Sequence, residues 1–135
     1  MKSQIAAFSA ALGLLLATPV IIAHHSFAAE FDAGKPVNLK GIVTKIEWSN
    51  PHTYFYVDVT GADGKVVNWG MEMGSPNGLM RQGWTRNTMK VGDEITVEGS
   101  QAKDGTHVGN ARVVTMVATG KRLFAASSQA DTPQR

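Results

Sequence analysis

Four histidines carry most of the ligand chemistry in this sequence: His24, His25, His52 and His107. Two of them are adjacent, and they follow directly on an apolar run ending Val20-Ile21-Ile22-Ala23. A cut after Ala23 makes His24 the first residue, with a free α-amine beside its own ring. Amine nitrogen and ring Nδ1 then close one chelate on a metal ion. A further imidazole opposite them completes a T-shaped, three-nitrogen histidine brace. Imidazole and amine nitrogens suit Cu(II) and Ni(II), and tetragonal nitrogen geometry favours copper. The α-amine, with a reference pKa of about 7.7–8.0, gives up its proton readily enough to bind. The further ring has three sources: His25, His52 or His107. His52 is preferred because it follows the rigid Asn50-Pro51 turn and starts a strand; adjacent His25 faces another way, and His107 sits in a glycine-bracketed hairpin loop. A cut one residue earlier would leave Ala23-His24-His25, with His in third place, which is also a Cu/Ni-chelating terminus. The expected metal residues are therefore His24, His52 and His25, and the expected cofactor is copper. The competing account is that the paired histidines are merely hydrophilic and that His52 bonds a backbone carbonyl in its turn.

Other chemistries fare worse. With no cysteine there is no disulfide framework, no Cys-based zinc finger and no thiol nucleophile. Ser26, Ser49 and Ser75 lack a G-x-S-x-G elbow. Glu47, Asp58 and Glu72 fall on neighbouring strands, but outward strand positions are usually solvated, so acid–base catalysis by them is disfavoured. The glycines punctuate turns and form no phosphate loop or dinucleotide fingerprint. Met71 and Met73 alternate with Glu72 and share a face with Trp69 and Val67, which is core spacing rather than a Cu(I) site. A formal charge of +2 argues against a nucleic-acid partner.

The elements that must position these residues follow a leader. Met1-Lys2, the apolar run Ile5 to Leu16, the breaker Pro19 and the small residue Ala23 have the layout of a secretory signal peptide over residues 1–23. Ser9, Gly13 and Pro19 interrupt the run and weigh against a retained anchor, so no membrane span is expected after cleavage. The expected location is periplasmic or secreted. Removing 23 of 135 residues leaves 112, enough to hold a core without disulfides.

Residues 24–36 form an N-terminal segment and 37–124 the folded domain, and the tail from Ala125 (125–135) has nothing to bury. Leu39 to Trp48 alternates as a strand, with Ile42, Thr44, Ile46 and Trp48 on one side and Val43, Lys45 and Glu47 on the other. His52 to Val59 is aromatic and β-branched, a second strand with Phe55, Val57 and Val59 inward and His52, Tyr54, Tyr56 and Asp58 outward. Gly61 to Lys65 turns a hairpin into a third strand, Val66 to Met73. Ser75-Pro76 is a cap followed by a first-turn proline, and Gly83 is a stop, which together predict a short helix. Lys90 to Gly99 is a turn entering a fourth strand, Ala111 to Val117 is a fifth, and Lys121 to Phe124 adds an edge. The fold class is mostly β: a five-stranded OB-like barrel with one short helix between strands three and four. Trp48, Tyr54 and Tyr56 form the expected ligand surface, the alternative being that Phe27 and Phe31 cover the two tyrosines.

The run A-H-H-S-F-A-A-E-F-D from Ala23, W-S-N-P-H from Trp48, and Gly74-Ser75-Pro76 through Gly83-Trp84 together resemble a bacterial family of small exported proteins of unknown function. That resemblance implies export and a compact β-domain, and no activity. The reading is an exported, non-enzymatic binding or accessory module that takes copper at its mature N-terminal histidine, its partner a periplasmic protein or small ligand. Two alternatives stay open: a copper-dependent redox enzyme using the brace, and a metal-free protein-interaction module.

Overall fold

The computed structural model describes residues 27–127; His24, His25 and the leader lie outside the described residues, as does 128–135. In chain order the elements are α1 (Phe27–Glu30), β1 (Phe31–Glu47), β2 (Tyr54–Thr60), β3 (Val66–Glu72), α2 (Pro76–Arg81), β4 (Glu94–Ala102), β5 (Val108–Met116) and β6 (Arg122–Phe124). The strands form one sheet in the order β3-β2-β1-β4-β5-β6, and a further pairing of β3 with β5 closes β1 to β5 into a ring. Every pairing is antiparallel except the closing one, where Gly70, Met71 and Glu72 run parallel to Val108, Gly109 and Asn110. β6 lies outside the ring on β5.

Alternation explains which side chains fill the ring. Phe55 and Val57 from β2, Met71 from β3, Ile95 and Val97 from β4 and Val114 from β5 are all buried in one core, with Met73 following β3. The inward and outward faces of β2, and the burial of Met71 and Met73, follow the period-two pattern. β1 departs from it. The register slips between Val43 and Lys45, so Thr44 is an extra residue opposite β2. This bulge puts Val43 (1% exposed) and then Ile46 on the core side and turns Ile42 outward at 43% exposure. The expected shared face of Ile42, Thr44 and Ile46 is therefore broken at Thr44.

β1 also begins earlier than the alternation suggested. Phe31 is buried and pairs with Ala102, so the strand starts inside the segment assigned to 24–36. The register shift between Phe31 and Pro36 absorbs Ala33, Gly34 and Lys35, and these polar and small residues hide the strand from a periodicity reading. β1 serves two neighbours, pairing with β4 through Ile42 and with β2 from Ile42 onward. Gly41 sits where it changes partner: a Cβ there would stand 2.1 Å from the Asp58 carbonyl oxygen. Gly99, beside the β4 irregularity, is as tight, with the Asn110 carbonyl at 2.0 Å from the same construction.

The helix between β3 and β4 has the expected caps. Ser75 Oγ accepts the Gly78 amide at 3.1 Å, Pro76 occupies the first turn, and Gly83 takes φ +95° just past the end. Leu79 drives its buried side chain into the core beside Trp84 and Met89. Trp84 Nε1 donates to the Phe124 carbonyl at 2.7 Å and ties this region to β6. Two residues assigned to the tail are part of the fold: Ala125 and Ala126 are buried, and Ala125 bonds through its backbone to both Gly74 and Arg112. Small side chains hide their burial from a hydropathy reading. None of the helices among the described residues is long and apolar enough to cross a membrane.

Candidate functional site

The outer face of β2 gathers the polar chemistry. Counting inward from the hairpin, where Thr60 faces Val66, sets Tyr56 opposite Gly70 and Tyr54 opposite Glu72. Pairing continues past the formal strand ends, since Thr53 N donates to Gly74 O and Met73 N to Thr53 O. His52 stands one residue further out, after the cis Asn50-Pro51 bond. Its Nδ1 lies 3.2 Å from the Met73 carbonyl oxygen. A carbonyl can only accept, so Nδ1 is the donor in this contact. The carbonyl bond foreseen as the competing account is present.

Behind that ring sits a buried carboxylate. Glu72 is 7% exposed although it shares the outward face with Tyr54. Tyr54 Oη donates to Glu72 Oε2 at 2.6 Å, and Glu72 Oε1 lies 3.8 Å from His52 Nδ1. Burial, then the bond to Glu72, then the charges of Glu72 and Glu30 hold the Tyr54 phenol protonated well above the usual tyrosine range. Tyr54 is therefore a fixed donor.

Next along β2, Tyr56 donates to Glu47 Oε2 at 3.3 Å, and its ring lies against Gly70. Lys45 pairs with the same Glu47 carboxylate and stands over the Tyr56 ring, 5.2 Å from its centre. The direct Lys45–Glu47 contact pushes the lysine pKa up and the carboxyl pKa down. Both groups are at the surface, so this pair orders the face more than it stabilises the fold.

His52, Tyr54 and Tyr56 thus stand together, as the alternation of β2 implied, while Trp48 is half-buried and packs against the core. Phe31 is buried beneath the Phe27 ring, with centroids 5.6 Å apart. The exposed His107 ring packs on Trp69, centroids 5.1 Å apart. Trp69 alternates to the core side of β3 while Glu72 faces outward, so His107 and His52 lie on opposite faces of that strand. His24 and His25 lie outside the described residues. Among the described residues no three His, Asp or Glu side chains converge as a metal-holding group. The residue that sequence reasoning undervalued is Glu72. The signal that finds it is the hairpin length, which sets its register against Tyr54.

A model of a family of unknown function (DUF6152) matches residues 13–111, which include β1 to β3, α2, β4 and the first part of β5. The chain belongs to this family. No protein of curated function matches it. As a DUF6152 member it carries no activity inherited by name, so its chemistry has to be argued from its own side chains.

Proposed function

We propose that this DUF6152 protein is an exported, non-enzymatic binding module that holds a copper ion at its trimmed amino end. The leader-like residues 1–23 support export to the periplasm or beyond. The closed circuit β1-β2-β3-β5-β4, with α2 between β3 and β4, supports reading the ring as an OB-type barrel. Such barrels present ligands on the face to which β2 belongs.

The observation that carries the copper reading is the His52 ring. Its Nδ1 donates to Met73 O, and an imidazole held in this way would offer Nε2 to a metal. His52 stands on the same face as Tyr54, its Nδ1 3.8 Å from the Glu72 carboxylate to which Tyr54 donates. Two residues, His25 and Ser26, separate His24 from Phe27, and the three steps between them reach about 10 Å when extended. In this reading the His24 amine and ring together with His52 Nε2 would hold the ion, with His25 as the alternative imidazole. Copper supplies a Lewis-acidic, redox-active centre; the chain's own residues orient the imidazole and wall the site with Tyr54 and Tyr56.

The test uses protein that begins at His24, with its first residue fixed by intact mass. Cu(II) binding is expected at sub-micromolar affinity, and one extra residue before His24 is expected to weaken it at least about tenfold. Equal binding by the extended protein would exclude the amino end as ligand.

A further inference from the structure

We propose that the flank built from α2, the loop after it and the β5–β6 hairpin is a docking surface for an anionic phospholipid membrane. This goes beyond the metal reading and does not depend on it. Two stretches of chain make the flank, 76–92 and 111–127. The first carries Arg81, Arg86 and Lys90, the second Arg112, Lys121 and Arg122, and neither contains an Asp or a Glu. The fold joins them at three places. Trp84 Nε1 donates to Phe124 O at 2.7 Å. A Cβ on Gly83 would stand 3.6 Å from the Leu123 side chain. Asn87, Thr88 and Lys90 line one cavity of about 300 Å³ together with Ala118, Thr119 and Lys121. The carboxylates that border this flank are engaged. Asp93 Oδ2 accepts the Lys90 amide at 2.8 Å, Glu94 pairs with Lys40, and Glu98 lies between Arg122 and Arg112 at 3.2 and 4.0 Å. Among the described residues the side chains of Arg81, Arg86, Lys90 and Lys121 form no ion pair.

A positive surface alone would suit any polyanion, and the apolar side chains decide for lipid. Among the described residues seven large apolar side chains stand exposed, and four of them, Met80, Val91, Val117 and Phe124, lie on these two stretches. Met80 precedes Arg81, Val91 follows Lys90, and Phe124 comes two residues after Arg122, so cation and apolar group alternate along the surface. A folded acidic partner would need a matching hollow for each of these side chains. A bilayer needs none, since headgroup phosphates meet the Lys and Arg while apolar side chains enter the acyl boundary. Val91 leads into the turn at Gly92 and Val117 into the turn at Gly120, where φ is +95° and +71°. Both apolar groups are thus carried on tight turns, and a surface ordered in advance loses little freedom on binding.

The test measures sedimentation of the chain beginning at His24 with vesicles of phosphatidylglycerol and phosphatidylcholine in equal parts. Binding is expected, and it is expected to fall at least about tenfold on pure phosphatidylcholine or in about 0.5 M salt. R86Q/K121Q is expected to weaken it about tenfold, and R86E/K121E further. M80S/V91S, at two side chains more than half exposed, is expected to lose at least about fivefold without loss of fold. K35E/K103E makes the same charge change at the other end of β4 and is expected to stay within about twofold of wild type. Wild type that ignores the anionic vesicles, or binds neutral ones equally, overturns the proposal. So does undiminished binding by R86Q/K121Q, or an equal loss in K35E/K103E, which would reduce the effect to net charge. Unchanged binding by M80S/V91S, or equally tight binding to soluble polyglutamate, would point to an acidic polypeptide and overturn the lipid assignment.

Discussion

Replacing Tyr54 by Phe removes one hydroxyl and leaves the ring in place, so it isolates the bond to Glu72. That bond is 2.6 Å long and ends on a carboxylate that is 7% exposed. A hydrogen bond to a charged group contributes about 1.5–3 kcal/mol, roughly double a neutral one. Tyr54 itself is half-buried, so water can reach part of the vacated position, and the expected cost lies near the middle, about 2 kcal/mol. For a domain of about 100 residues that lowers the melting temperature by roughly 10 °C. In the Glu72→Gln background the same substitution removes only a neutral bond, and its cost falls to about 1 kcal/mol. Urea unfolding of the four proteins at pH 7, with the slope checked for constancy, measures both costs and their difference. A Y54F cost below about 0.5 kcal/mol, or one equal in the two backgrounds, would refute the view that Tyr54 holds a buried charge.

The same phenol sets an alkaline prediction. Tyr54 and Tyr56 are the two tyrosines of the chain, so Tyr56→Phe leaves Tyr54 as the one phenol to follow by ultraviolet absorbance. Its pKa is raised by burial and by Glu72, so it is expected to ionise well after an unfolded tyrosine, whose value is about 10. The sign follows: the stabilising contribution is complete below pH ~10 and is lost as pH rises toward the folded value, because the unfolded chain gives up its proton first. A phenol titrating at its ordinary value would contradict the geometry. Elsewhere, Gly41→Ala places a methyl carbon 2.1 Å from the Asp58 carbonyl, where only backbone movement can make room. It is expected to destabilise by more than about 3 kcal/mol in urea unfolding, and a loss under 1 kcal/mol would show that β1 can shift there freely.

How much of this was legible in the sequence depends on which interactions are local. The split of β2 into buried Phe55 and Val57 against outward Tyr54 and Tyr56 was legible, because strand alternation needs no tertiary knowledge. So was α2, whose Ser75-Pro76 start and Gly83 stop act within one turn. The Thr44 bulge was not: an extra residue leaves the run I-V-T-K-I-E-W looking regular, and the partner strand alone reveals the slip. Glu72 was visible as a carboxylate on a strand, yet its burial comes from Tyr54 and from β5, whose pairing through Gly109-Asn110 has no apolar signature. The pairing of Tyr54 with Glu72 could be counted from the hairpin, whereas the approach of His52 to the Met73 carbonyl required the chain to be folded around it.

The parallel contact of Gly70–Glu72 with Val108–Asn110 also has a kinetic meaning. The hairpins β1–β2–β3 and β4–β5 can zip from their own turns, whereas the seam joins stretches almost forty residues apart and the β1–β4 pairing joins stretches more than fifty apart, so both repay their loop entropy after the hairpins. Glu72 lies in that seam, so its carboxylate is sequestered from water only after the local hairpins have formed. Exchange-labelled refolding is expected to show Asn110 and Glu72 becoming shielded in the same phase, after the hairpin amides.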